Sequence, residues 1–144
     1  MSMLNKKHRI ISKFLSANDT GETGAHQAGI LVPKEPRILG FFPSLDRTER
    51  NPRHHLIFYD EAGERWEFAF IYYNNVYFGG TRNEYRLTRM TPFFKLNGLH
   101  FGDELILERT EEGRRIVRYQ RARRAVVGAD GVLRLGTHWK VVEI

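Results

Sequence analysis

HHLIFYDEAGERWEFAFIYY, residues 54–73, decides the fold. Two runs rich in Ile, Phe and Tyr, 54–59 and 65–73, flank Asp60-Glu61-Ala62-Gly63, and Gly63 tolerates the positive φ of a tight reversal. The composition is that of paired strands, so the segment reads as a β-hairpin. Outward from it, further short runs with the same chemistry fall at 8–15, 29–32, 85–90, 104–110, 115–121, 132–135 and 139–144. Glu111-Glu112-Gly113 supplies a second hairpin turn. Two connections read as short helices, 35–42 with Pro36 in its first turn and 92–96 after Pro92. Many short strands with two helical inserts predict a mostly β chain that hides its sheet edges by closing into a barrel.

The whole chain has 144 residues, 41% of them hydrophobic, which fits one domain, 1–144, with a single core. The longest wholly apolar run is six residues, 68–73, against the roughly 20 of a membrane helix. No signal-peptide apolar stretch follows the basic first residues, so a cytoplasmic setting without membrane contact is expected. Cys is absent, which excludes disulfides, cysteine-ligated zinc and a cysteine nucleophile. The formal charge is +6, with 17 Arg to 6 Lys. Arginine's planar fork suits phosphates and guanine edges, so the balance favours an anionic partner.

Two connections are longer and more polar than turns require. Residues 16–27 offer Ser16, Asn18, Asp19, Thr20, Thr23, His26 and Gln27, all hydrogen-bonding types, beside Lys13. This loop reads equally as an Asx-turn connector or as a binding loop. Residues 74–84 hold Arg82-Asn83-Glu84, with Arg86 two further on. Arg pairs with guanine, Asn with adenine and Glu with the cytosine amino group, so this cluster could read base edges in a major groove. As a bare tripeptide it also describes a solvated turn with one ion pair. Six arginines among residues 114–124 resemble a phosphate track, yet Glu104, Glu108, Glu111 and Glu112 precede them and a hairpin would set acids opposite bases. A structural face with some non-specific DNA attraction is expected there. Tyr72, Tyr73, Tyr77 and Phe78 read as core and loop anchors rather than stacking platforms.

Enzyme signatures are missing. No lysine has a carboxylate two residues before it, as a common metal-dependent nuclease core requires. His138-Trp139-Lys140 lacks the Asp that would complete a His-x-Lys nuclease motif. His54 and His55 would face opposite sides of a strand, which predicts one surface and one core histidine rather than joint metal ligands.

The loops also carry a resemblance. Lys13-Phe14-Leu15-Ser16-Ala17-Asn18-Asp19-Thr20-Gly21, with Thr23-Gly24, His26-Gln27, Gly29 and Pro33, resembles the N-terminal effector domain of EcoRII-type restriction endonucleases. So do Ile71-Tyr72-Tyr73-Asn74, Phe78-Gly79, Thr81-Arg82-Asn83-Glu84 and Arg86, and the 46–52 segment with Arg47, Glu49 and Asn51-Pro52. The resemblance implies a DNA-binding pseudobarrel of about seven strands, similar to the B-three-type domain of plant transcription factors. Two protruding loops would then grip double-stranded DNA, an N-arm at 16–27 and a C-arm at 79–86. It implies a monomer that reads a short GC-containing site such as CCWGG. Arg82 would contact guanine and Glu84 cytosine, with Asn83, Asn18, Asp19 or His26 adding edge contacts and Lys13, Arg47 and Arg86 nearer phosphates. DNA binding would need no cofactor, and Mg2+ would belong to a separate, covalently linked nuclease domain. Gly80 and Tyr85 stand where EcoRII-type proteins carry lysines, a departure that bears on some of the implied backbone contacts and with them on affinity and target. The other readings are a nuclease with an unrecognised active site and a single-stranded RNA-binding barrel using Tyr72, Tyr77 and the arginine-rich strand.

Overall fold

The computed structural model describes residues 7–22, 29–122 and 138–143. Eight strands form one sheet: β1 (Arg9–Phe14), β2 (Ile30–Val32), β3 (Arg53–Tyr59), β4 (Arg65–Tyr73), β5 (Glu84–Thr88), β6 (Glu104–Arg109), β7 (Arg115–Gln120) and β8 (Trp139–Val141). Their spatial order is β2-β5-β4-β3-β7-β6-β1-β8. The 54–73 hairpin forms as read, with His54 opposite Phe70 and Tyr59 opposite Arg65. Short helices α1 (Ala17–Thr20), α2 (Pro36–Leu39) and α3 (Thr91–Asn97) occupy three connections. Pro at the first turns of α2 and α3 starts them because φ is preset and its missing N–H would be unbonded there anyway.

The architecture is the expected mostly β, nearly closed barrel, with eight described strands rather than about seven. The strand expected at 132–135 lies outside the described residues. The run expected to continue to Met90 stops at Thr88, because Arg89 adopts φ +66° and turns the chain into α3. Among the described residues no helix is long and apolar enough to cross a membrane.

Alternation sends Ile11, Phe58, Phe68, Phe70, Leu87, Leu105, Leu107 and Val117 into one core, where Phe41 and Phe93 join them. Phe93 lies edge-on to Trp66, Phe68 and Tyr119. A column of rings runs Phe42 on Phe70, Phe70 on Tyr85 and Tyr85 on Tyr72, with centroids 4.5, 5.7 and 4.1 Å apart. It reaches from the core to Tyr72, near the end of β4.

The two edge strands β2 and β8 approach without a backbone ladder. The indole of Trp139 closes the gap by donating to the Leu31 carbonyl at 3.0 Å. Trp139→Phe keeps the edge contact with Phe42 but loses that donor, and is expected to destabilise the domain by about 1 kcal/mol. Urea unfolding would check this, and an unchanged midpoint would show that the closure contributes nothing.

Three expectations change. Both His54 and His55 are exposed, and His55 Nδ1 lies 3.0 Å from Glu67. His54 lies two residues before buried Leu56 and opposite buried Phe70, yet its own side chain is exposed. Of the acids expected opposite the arginines, Glu108 accepts from Arg118 at 3.1 Å, whereas Glu104 pairs with Lys140 and Glu111 and Glu112 stay exposed in their turn. Register sets Arg115 opposite Arg109 instead. Tyr77 is no core anchor either, being 57% exposed on a 3₁₀ helix, Asn75–Phe78.

Candidate nucleic-acid interface

The loop after β4 is organised by a carboxylate between two guanidiniums. Glu84 Oε1 accepts from Arg82 Nε at 2.6 Å and Glu84 Oε2 from Arg86 Nη2 at 3.1 Å. Glu84 and Arg86 share the outward face of β5 because they are two residues apart, while Tyr85 and Leu87 between and beyond them enter the core. Arg82 lies over Tyr73, its guanidinium carbon 3.8 Å from the ring centroid. Burial opposes ionisation of Glu84, but hydrogen bonds from Arg82 and Arg86, with their charges, hold its carboxyl below the usual range. The three side chains are thus preset as one unit, with guanidinium edges left over for a partner.

Asn83 is fixed from beneath, its Oδ1 accepting from the Tyr72 hydroxyl at 2.5 Å. Burial, then the hydrogen bond and charge of Tyr77 and the charge of Tyr85, push the Tyr72 hydroxyl up to about 12, so it stays a donor at neutral pH. Asn83 itself is exposed.

Asn74, at the end of β4, anchors this loop. It is fully buried, its Oδ1 accepts from Asn51 N–H at 2.8 Å, and its Nδ2 donates to the carbonyls of Glu49 at 2.8 Å and Arg47 at 3.3 Å. One amide therefore ties the 46–52 segment to the end of β4. A buried amide at a strand end, where only a turn was needed, is the signal that could have identified it. Asp46 further shapes that segment, its carboxyl held low by hydrogen bonds from the Thr48 hydroxyl and N–H. Arg47 itself is exposed and, with Lys34, borders a cavity of about 540 Å3 floored by Tyr85 and Phe42. Arg50 lies over the Phe78 ring, 5.3 Å from its centroid.

The loop after β1 begins with a capping box. Ser16 Oγ accepts from Asp19 N–H at 3.1 Å, and Asp19 Oδ2 accepts from Ser16 N–H at 2.9 Å. Lys13, expected near phosphate, is only 7% exposed and gives its ammonium to Asp19 at 2.5 Å. Both charges are therefore occupied inside the domain. Thr20 donates to Glu22 at 2.9 Å, and Asn18 is exposed. Thr23, His26 and Gln27 lie outside the described residues.

Arg86 links the two loops, since its Nη1 donates to the Gly29 carbonyl at 2.8 Å, where the first loop rejoins the sheet. Gly29 has φ +86°, and a Cβ there would meet the Leu87 oxygen at 2.3 Å, so only glycine lets β2 come this close to β5.

The family model described as "Restriction endonuclease EcoRII, N-terminal" matches residues 5–97. The chain belongs to this EcoRII N-terminal family. Over 80 residues, 54% of this chain, it is 45% identical to the type II restriction enzyme EcoRII of Escherichia coli, covering 20% of that protein. Over 119 residues, 83% of this chain, it is 29% identical to auxin response factor 12 of Arabidopsis thaliana, covering 19% of that protein. The chain thus spans about a fifth of the length of these relatives. Among solved structures, the Arabidopsis FUS3–DNA complex matches with a TM-score of 0.59 at 18% identity, over 78% of this chain and 96% of that one. The fold is shared with that plant protein, as the resemblance implies. In this EcoRII N-terminal domain the matched span includes both long loops and the 46–52 segment.

Proposed function

We propose that this chain is the double-stranded DNA recognition domain of a restriction endonuclease, reading a short GC-containing site such as CCWGG in the major groove. The observation that carries the reading is the preset Arg82–Glu84–Arg86 unit beside Asn83, on a basic domain of the EcoRII N-terminal family. Arginine and asparagine edges held side by side can discriminate guanine and adenine, while glutamate can accept from cytosine. In this reading the arms are residues 16–27 and 79–86. Asn18, Thr20, Thr23, His26 and Gln27 add contacts from the first arm. Arg47 meets phosphate, and Lys13, Ser16 and Asp19 hold the first arm's root. The domain binds as a monomer without a cofactor, and Mg2+-dependent cleavage belongs to a separate, covalently linked nuclease domain.

The test is selection of bound duplexes from a random library at about 0.15 M salt, where phosphate attraction alone is weak. One short enriched motif is expected. Arg82→Ala should lower affinity for it by about 1–3 kcal/mol and relax preference at one base pair. Absence of enrichment, or metal-dependent nicking that copurifies with the chain, or displacement of duplex by single-stranded RNA, would overturn the reading.

A further inference from the structure

Three arginines stand in a row across β1, β6 and β7. Arg9 is the register partner of Arg109, and Arg109 that of Arg115. With neighbouring strands about 4.8 Å apart, the row spans about 10 Å. Alternation puts all three on the inner side of the barrel, each two residues from a buried aliphatic: Ile11, Leu107 and Val117. The row lies at the start of β1, five residues before Phe14 and the loop that follows it, so it is about 16 Å along the strand from the first arm's root.

These guanidiniums are shielded but incompletely bonded. Arg109 Nη1 donates to the Phe41 carbonyl at 2.8 Å, and its guanidinium lies 5.6 Å from the Phe41 ring centroid. The Nε atoms of Arg109 and Arg115 are both buried without a hydrogen-bond partner. Burial, then the charges of Arg9 and Arg115, pull the pKa of Arg109 below the usual arginine range, and burial does the same to Arg115. Arg9 also borders a cavity of about 230 Å3 that takes in Lys7 and Arg37 and, with Arg37, its ion-pair partner Glu143.

Nearby acids are engaged elsewhere. Glu108, next in sequence to Arg109, points to the outer face and holds His8 and Arg118. Asp60 accepts from the Trp66 indole and from backbone N–H groups of its own turn. Glu143 pairs with Arg37. Among the described residues no carboxylate forms an ion pair with Arg9, Arg109 or Arg115. Like charges directly across strands repel, and buried donors without acceptors are unfavourable, so the arrangement is stable only at a cost that an anion would remove.

We propose that the barrel mouth framed by Arg9, Arg109 and Arg115 binds a phosphate group. Guanidinium forks approaching from three strands match a multiply charged tetrahedral oxyanion, which can accept from several of them at once. The site is separate from the proposed base-reading loops, and its test does not depend on them. The group is either a free phosphate or a phosphodiester of bound DNA.

The probe is inorganic phosphate at constant ionic strength made up with chloride, which keeps general screening fixed. For the wild-type chain, a saturable rise in Tm of at least about 3 °C at a hundredfold excess over Kd is expected. Broadening of the phosphorus-31 resonance on addition of the protein should accompany it. Arg115→Met and Arg9→Met should each reduce both signals at least tenfold in apparent affinity while retaining the far-ultraviolet circular dichroism of the barrel. Addition of a short duplex then identifies the source: displacement of the phosphate signal points to a DNA phosphodiester, and persistence of the signal to a free phosphate. No Tm change beyond chloride with no line broadening in the wild type overturns the proposal, as does full binding in a folded Arg9→Met, Arg115→Met double variant. The phosphorus measurement stands even if a variant fails to fold.

Discussion

Glu84→Ala is expected to lower affinity for the selected duplex about 10- to 100-fold while raising affinity for unrelated duplexes a few-fold. The opposite signs follow from the two things this carboxylate does. It orients both Arg82 and Arg86, at 2.6 and 3.1 Å, and so fixes which guanidinium edges would face a base pair in the proposed reading. It also subtracts one charge from a domain of formal charge +6. Without it, Arg82 retains only its stacking on Tyr73, and Arg86 its bond to Gly29, so the barrel stays folded but the reading geometry is lost. The added net positive charge strengthens attraction to any phosphate backbone. Anisotropy titrations with selected and scrambled duplexes at about 0.15 M salt would separate the terms. Unaltered preference would remove Glu84 from recognition, and an equal loss on both duplexes would indicate general damage.

The same group gives a pH dependence of known sign. Its folded pKa lies below the ordinary 4.5, with burial outweighed by the two arginines. A carboxyl depressed in the folded state contributes order and stability above its unfolded pKa and loses that contribution as pH falls through the folded value. Preference for the selected duplex should therefore be flat from neutral pH down to about 5 and decline only below 4.5.

Asp19→Ala is expected to destabilise the domain by about 3–5 kcal/mol, with a lower urea midpoint at unchanged slope. Asp19 is the acceptor for Lys13 Nζ and for Ser16 N–H, and the side chains of Lys13 and Asp19 are each 9% exposed. Its removal strands an ammonium inside the domain, which is far less favourable than removing both charges together. Lys13→Met combined with Asp19→Ala should accordingly recover most of the lost stability. The single variant should also weaken binding to every duplex, since the root of the first loop is released whatever the sequence bound. A loss below about 1 kcal/mol, or a double variant no better than the single, would show that the pair is only a surface contact.

That pair also shows where reading residues one by one stops. Lys13 beside a polar loop invites a phosphate role, and nothing local to the sequence says that Asp19, six residues on, folds back over it. The Ser16 to Asp19 spacing is that of a capping box, but the partner of the ammonium depends on how deep β1 lies in the sheet. Arg115 and Arg109 are similar: local reading set acids against the arginines, whereas the register of β6 and β7 placed two cations face to face. A shift of one residue would have reversed the faces.

The sequence by itself determined the strands, the hairpin turns, the single apolar core and, through the residues of its two long loops, the family. Strand periodicity, glycine turns and basic composition are local properties, and local chemistry expresses them without reference to distant residues. Only the tertiary structure decided that β3 runs parallel to β7, that Trp139 closes the barrel on Leu31, that Asn74 anchors the 46–52 segment, and that three arginines stand in register across β1, β6 and β7. Each of those depends on which residues, tens of positions apart, the sheet brings within a few ångströms, and that is set by pairing register and core packing rather than by any pattern along the chain.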